Sequence, residues 1–194
     1  MYASNYPEEV VGMVLVDSAH EEMNIRRSAA VPKFAELQKS EIEQWAGQFR
    51  TYAFLSSTGL MAFTPQSIPN WGFPEEAYAQ YQAVLATTGF FETHIDEMNA
   101  MEEILVDVRA LHITSFGNMP LVVLSAGRWE PDPALSDAEN QQIREVIVVM
   151  QSELADLSSD SKQIIAEQSG HFIQLDQPDL VIDAIQEVLD ALRK

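Results

Sequence analysis

Side chains that could carry out acid–base chemistry follow three apolar segments of the chain. Asp17 ends the segment GMVLVD, and His171 follows the segment KQIIAE. Between them, PLVVLSAG is followed by GRWEPD, which contains Glu130 and Asp132. A histidine oriented by a carboxylate is part of a nucleophilic triad, because the carboxylate fixes the tautomer of the ring and stabilises its imidazolium form. The residues therefore predict His171 as a base and a nearby carboxylate as the acid that orients it.

The three apolar segments are predicted to be strands, over Gly12–Asp17, Pro120–Gly127 and Lys162–Glu167. Each is short, rich in β-branched residues and apolar without alternation. Such continuous apolarity is typical of strands that are buried on both faces, as in a parallel sheet covered by helices. Open sheets of this class bind ligands at the carboxyl ends of their strands. The candidate acids and the candidate base are therefore expected at one edge of one sheet.

Helical patterns separate or follow these strands. Apolar residues recur every three or four positions over Asp137–Leu157 and again from Pro178 to Lys194. Pro178 suits the first position of a helix, and the basic Arg193 and Lys194 suit its negative end. Alternation of strand and helix predicts an α/β fold.

The segment from Glu21 to Leu111 differs, since it contains helical patterns but no good strand. The helical patterns cover Lys33–Phe49, Glu75–Leu85 and Glu92–Leu111, and a turn-rich stretch, FTPQSIPNWGFP, lies between the first two. An insertion of this length is too long for a simple crossover and predicts a helical lobe over one end of the sheet. The lobe is rich in aromatic residues, which either line an apolar pocket or form the lobe's own core: Trp45, Phe49, Phe54, Phe63, Trp71, Phe73, Phe90 and Phe91.

Composition excludes several classes of function. The 194 residues include 30 acidic and 11 basic side chains, for a formal net charge of −19. Nucleic acids and anionic membrane surfaces are therefore poor partners, because no basic stripe neutralises phosphates. No apolar run approaches the roughly 18 residues of a membrane span. Cysteine is absent, and the first residues lack the pattern of a signal peptide, which favours the cytoplasm.

Three stretches together resemble the C-terminal part of an α/β-hydrolase of the esterase, lipase and epoxide-hydrolase type. They are SNYPEEVVGMVLVDSAHEE, NMPLVVLSAG and IIAEQSGHFIQLDQPDLVIDAI, and the resemblance covers nearly the whole chain. It implies that the three strands are the sixth to eighth of that family's parallel sheet, with flanking helices and an inserted helical cap. Residues 1–20 and 112–194 would form the core portion and residues 21–111 the cap. SGHFIQLDQPD is the most specific stretch, and it implies that His171 is the catalytic base.

The resemblance leaves two places for the acid. Most members of the family have it after the seventh strand, where this chain has Glu130 and Asp132, whereas some, the haloalkane dehalogenases among them, have it after the sixth, where Asp17 lies. We favour Asp17, because a residue tethered to a buried strand end has little freedom. Glu130 and Asp132 lie in a proline-interrupted acidic loop that is typical of a solvated turn. The competing interpretation of Asp17 is a carboxylate that caps the next helix or turn.

The family's nucleophile lies in a G-x-S-x-G turn, and this sequence has none. Its eight glycines are at positions 12, 47, 59, 72, 89, 117, 127 and 170, and no two are four apart. The chain is therefore expected to be the C-terminal portion of a hydrolase, starting at an internal methionine and inactive by itself. Its substrates would be small apolar esters or related compounds, and the resemblance implies neither a metal nor an organic cofactor.

The remaining expectations concern partners. Without a fifth strand beside it, the strand Gly12–Asp17 would expose a row of backbone donors and acceptors, so the chain is expected to self-associate through this edge. A different class of function is also open, in which the chain is a non-catalytic acidic fragment or an interaction module.

Overall fold

The structure, a computed structural model, describes residues 1–60 and 73–193. These residues contain a three-stranded parallel sheet. The strands are β1 (Met13–Val16), β2 (Leu121–Ala126) and β3 (Ser161–Ala166), in the order β1-β2-β3. Both neighbouring pairs are parallel. The predicted α/β class and its parallel sheet are confirmed, with each strand within two residues of its predicted bounds.

Helices occupy most of the other described residues. They are α1 (Tyr2–Asn5), α2 (Met23–Ala30), α3 (Phe34–Ser57), α4 (Glu75–Leu85), α5 (Thr88–Ala110), α6 (Asp137–Ala155), α7 (Ile173–Asp176) and α8 (Pro178–Ala191). The patterns predicted α3 to α6 and α8. The short helices α2 and α7 were not predicted, because fewer than three turns give little periodicity. Most of the turn-rich stretch FTPQSIPNWGFP lies outside the described residues, as do Phe63 and Trp71.

The middle strand β2 is covered on both faces, which explains why it is apolar without alternation. Successive side chains of a strand point to opposite faces. Leu121 and Val123 of β2 pack in a cluster with Leu154 of α6, while Val122 and Leu124 pack on the other face against α8. These four residues of β2 are buried. β2, in the middle of the sheet, is thus the best-shielded strand.

The chain divides into two compact units, Met1–Ala35 with Leu105–Lys194, and Glu36–Ile104. The first contains the sheet. The second contains α4 and most of α3 and α5. Its buried residues Leu85 and Phe91 pack with partly buried aromatic side chains, Phe49, Tyr52, Tyr81 and Phe90. Several of the aromatic residues of this segment therefore form the core of their own unit. Among the described residues, no helix is long and apolar enough to cross a membrane.

Helix α6 begins with a capping box. The Ser136 hydroxyl accepts a hydrogen bond from the backbone N–H of Glu139, and the Glu139 carboxylate accepts one from the backbone N–H of Ser136 at 2.8 Å. Lys33 Nζ lies 3.0 Å from the same carboxylate. The Ser136 hydroxyl also donates to this carboxylate at 2.6 Å. The three donors to the carboxylate, the Ser136 hydroxyl first, then the Ser136 N–H and Lys33, lower the pKa of Glu139 from 4.5 to about 2. Each favours the ionised carboxylate, so the cap depends on its charge.

Acidification is expected to weaken the fold through Glu139. Its pKa is lower in the folded chain, so the unfolded chain binds more protons between about pH 4.5 and 2. The contribution is complete above the higher pKa and is lost as the pH falls through the lower one. In urea titrations from pH 7 to 2.5, E139Q should have a lower free energy of unfolding at neutral pH and a smaller loss on acidification. Glu145→Gln, on the same helix but outside the cap, is the control, and an E139Q profile parallel to that of the wild type would contradict the argument.

Candidate active site

Asp17 follows β1 directly and is fixed by three features. Its backbone N–H donates to the carbonyl of Leu124 at 2.7 Å, which continues the β1–β2 ladder by one residue. Its φ of 44° lies in the left-handed region, where Asp is tolerated better than most residues. Its Oδ1 accepts a hydrogen bond from the backbone N–H of Ala126 at 3.0 Å. The second carboxylate oxygen, Oδ2, is therefore held at the carboxyl end of the sheet in one direction.

The loop that carries His171 is tied to its surroundings on both sides. Ser169 is fully buried; its N–H donates to Ala166 at the end of β3, and its carbonyl accepts from the N–H of Arg128. The hydroxyl of Ser169 and the N–H of Gly170 both lie 3.2 Å from Oδ2 of Asp176, in α7. The backbone immediately before His171 is thus anchored to two strand ends and a helix.

Gly127 permits the close approach of the two strand ends beneath this loop. Its N–H donates to the carbonyl of Ala166 at 3.0 Å. A Cβ added at Gly127 would lie 2.6 Å from the Cα of Glu167 and 2.8 Å from the carbonyl oxygen of Ala166. Both are backbone atoms, which no rotamer change can move. A side chain at this position would therefore push β3 and the His171 loop away from β2.

His171 and Asp17 meet at the carboxyl edge of the sheet. Nδ1 of His171 lies 2.8 Å from Oδ2 of Asp17. An ionised carboxylate only accepts hydrogen bonds, so Nδ1 is the donor and Nε2 of the neutral ring carries the free lone pair. The Asp17 side chain is 16% exposed and that of His171 is 69% exposed. The pair thus has a shielded, positioned acid and a ring whose second nitrogen is accessible to a reactant.

The other two predicted acids are not brought to the ring. Asp132 is bound within its own turn, where Oδ1 accepts from the N–H of Ala134 at 2.8 Å and its backbone bonds to the Asn140 side chain. Glu130 is exposed in the loop after β2. Among the described residues, Asp17 is the carboxylate partner of His171.

Two serines near the strand ends are committed to other contacts. The Ser125 hydroxyl is buried, lies 3.3 Å from the side chain of Gln151 and accepts from Gln163 at 3.0 Å. The Ser169 hydroxyl donates to the carbonyl of Gly170 at 2.9 Å. In the part of the chain that the structure describes, no serine or threonine hydroxyl bonds to His171. A residue that the base could activate is therefore missing there.

Arg27 of α2 is a charged neighbour of this site that the sequence patterns did not indicate. Burial lowers the pKa of Arg27, and the negative charge of Asp17 opposes that effect. The guanidinium lies 5.6 Å from the centre of the Phe34 ring. Its Nε, like Nε1 of Trp129, is buried without a hydrogen-bond partner among the described residues. No signal in a single sequence distinguishes Arg27 from its neighbour Arg26, which pairs with Glu22 and Glu153.

Comparisons of the chain with known protein families, with curated proteins and with solved structures found no match. What the site can do is therefore argued from its own geometry. An accessible imidazole nitrogen, backed by a carboxylate that the backbone N–H of Ala126 holds in place, is suited to accept a proton from a nucleophile.

Proposed function

We propose that this chain carries the base and the acid of an α/β-hydrolase-type triad that cleaves small apolar esters. His171 is the base, Asp17 is the acid, and the serine nucleophile lies on residues outside this sequence. The observation that supports the proposal is the distance of 2.8 Å between Nδ1 of His171 and Oδ2 of Asp17.

The proposed reaction has two halves. Nε2 of His171 takes the proton of the serine hydroxyl as its oxygen attacks the ester carbonyl, and Asp17 stabilises the imidazolium that forms. The imidazolium then gives this proton to the departing alkoxide, which leaves as the alcohol. In the second half, Nε2 takes a proton from water, whose oxygen attacks the acyl-serine, and returns it to the serine oxygen as the acid is released.

The preference for apolar substrates is supported by the surroundings of the base. The exposed ring of Phe172 has its centre 5.2 Å from that of His171. An apolar acyl or alkyl group that reached the base would bury part of this ring, and burial of aromatic surface is favourable.

The competing function is a non-catalytic acidic interaction module. One observation favours it, namely that among the described residues no hydroxyl group is bonded to His171. In that case the pair would only join the β3–α7 loop to β1. Catalysis requires a free Nε2 lone pair on His171, so a ring protonated at Nε2 would exclude the catalytic function.

The tautomer of His171 tests the proposed roles. Because Oδ1 of Asp17 is bonded to the N–H of Ala126, Asp17→Asn should keep its carbonyl there and turn its NH₂ toward His171. That NH₂ would donate to Nδ1 and force the proton onto Nε2. Imidazole ¹⁵N chemical shifts, recorded where the ring is neutral, should show protonated Nδ1 in the wild type and protonated Nε2 in D17N.

Two variants make this test specific. His171→Gln identifies the His171 signals among those of the four histidines. D132N removes the rejected acid and should leave the tautomer of His171 unchanged. A wild-type ring protonated at Nε2, or the same change in D132N as in D17N, would show that Asp17 does not orient this base.

A further inference from the structure

Helix α8 has a row of exposed apolar side chains, which we call the α8 stripe. Its members are spaced by three, four and three residues, and their exposed fractions are 61% for Ile182, 46% for Ile185, 44% for Leu189 and 42% for Leu192. This spacing places them on one side of the helix, in the pattern that packs one helix against another. Four large exposed side chains in one row are more than the scattered apolar residues of an ordinary surface.

The α8 stripe borders β1 and not β3. On the β3 side of the helix, Glu187 pairs with Lys162 of β3, with Oε2 2.8 Å from Nζ. On the other side, a Cβ added at Gly12, just before β1, would lie 3.8 Å from Cδ1 of Leu192. The apolar surface of α8 therefore continues toward the outer edge of β1.

β1 has an open edge on that same side, which we call the β1 edge. Met13 and Asp17 donate their N–H groups to β2 or to Pro120 just before it, as the alternation of a parallel pair requires. The N–H and C=O groups of Val14 and Val16 consequently point the other way. No strand of the described residues lies there, because β1 ends the sheet. An open edge of this kind pairs readily with another strand.

We propose that the β1 edge and the α8 stripe together form one interface with a second copy of this chain. A twofold axis perpendicular to the sheet would pair β1 antiparallel with β1 of the second copy. The same axis would place the two α8 helices side by side and antiparallel, on the same face of a now continuous sheet. A twofold interface requires that one surface complement itself, and both the edge and the stripe do so under this single operation.

The charges of α8 favour a second copy over other occupants. Arg193 lies just past the carboxyl end of α8, and the acidic Asp179 and Asp183 lie near its amino end. In an antiparallel pair, Arg193 of each copy lies near the acidic amino end of the other. The two helix dipoles point in opposite directions and so attract each other. Arg193 is exposed and contacts Asp190 through one nitrogen at 3.2 Å, which leaves other donors of its guanidinium for the second copy.

Sedimentation tests the interface without reference to catalysis. The chain should form dimers as its concentration rises. Because each copy has a formal charge of −19, repulsion opposes pairing, and added salt should strengthen the dimer by screening it. When the NaCl concentration is raised from 50 to 500 mM, we expect the dimer Kd to decrease. A chain that stays monomeric at high protein concentration in both 50 and 500 mM NaCl would overturn the proposal.

Variants locate the contact. Ile185→Glu adds a charge in the middle of the α8 stripe and should raise the dimer Kd by about tenfold or more. Val148→Glu adds the same charge at a site on α6 that is 59% exposed, and it should have a much smaller effect. Circular dichroism of each variant establishes that it is folded. Equal effects of I185E and V148E would show that only net charge matters and would overturn the interface.

A charge exchange tests the antiparallel arrangement. Arg193→Glu should weaken the dimer, because it places like charges at both ends of the helix pair. Adding Asp179→Lys to that variant should restore the Kd toward the wild-type value, since opposite charges then meet again with their signs exchanged. Additive weakening in the double variant would show that these ends do not meet.

Discussion

The chain alone is expected to hydrolyse p-nitrophenyl acetate no faster than its heat-denatured form. The reason is that, among the residues that the structure describes, no serine is presented to His171 as a nucleophile for the base to activate. Loss of the nucleophile from a serine triad costs about 10⁶-fold in kcat, nearly all of the triad's contribution. Spectrophotometric release of p-nitrophenol over hours, at a protein concentration well above that of a usual enzyme assay, measures the residual rate.

If the chain does hydrolyse p-nitrophenyl acetate, two sets of variants identify the groups responsible. H171A removes the base, and Ser125→Ala and Ser169→Ala remove the two serines near the strand ends. Turnover that H171A abolishes and every serine variant retains would mean that the pair activates water directly. Turnover abolished by a single serine variant would mean that the chain contains its own nucleophile. Either result would contradict the expectation that the nucleophile lies elsewhere.

Gly127→Ala is expected to lower the free energy of unfolding by about 1–3 kcal/mol, the range for overpacking a tight interior site. The added methyl group would meet the backbone of Ala166 and Glu167 at 2.6 to 3.0 Å, so β3 must shift. Because the His171 loop is anchored to both strand ends, the shift should also change the His171 imidazole signals. Urea titration and the ¹⁵N spectra measure the two effects separately.

Gly170→Ala is the matched control for Gly127→Ala. It lies in the loop before His171, has a φ outside the left-handed region, and an added Cβ there meets nothing within 4 Å. Alanine at such a position restricts the conformations of the unfolded chain, so G170A should raise the free energy of unfolding by about 0.4–1 kcal/mol. If G127A were as stable as G170A, the close approach of β2 and β3 would not constrain the fold.

The strands and long helices were predictable because their cause is local. Apolar runs identified β1, β2 and β3, and both faces of β2 are covered, while the period of three to four identified α6 and α8. The strand ends were less certain, because the pattern cannot tell that Ala126 is the last residue of β2. The helix α2 was missed, since its eight residues contain two arginines and little periodicity.

The candidate site was predictable only in part. Asp17 was favoured over Asp132 and Glu130 because it is tethered to a strand end, and the structure brings Asp17 to His171. The backbone N–H of Asp132 donates to the side chain of Asn140, eight residues away, and the sequence pattern does not predict this contact. The position of Arg27 beside Asp17 depends on where α2 packs. Such contacts follow from tertiary packing, which residue types and spacing alone do not encode.

The connections between the strands bear on how the two partners of the pair come together as the chain folds. β2 and β3 are joined by a single helix, α6, and their paired residues Leu121 and Ser161 are 40 positions apart (161 − 121). Met13 of β1 pairs with Leu121 across the whole of α2 to α5. Each doubling of a closed loop costs about 0.6 kcal/mol of chain entropy. Because closing the shorter loop costs less chain entropy, we expect β2 and β3 to pair, and the His171 loop to form, before β1 docks with Asp17. We therefore expect the acid and the base, which are 154 residues apart, to be joined late in folding, and release of β1 would separate them.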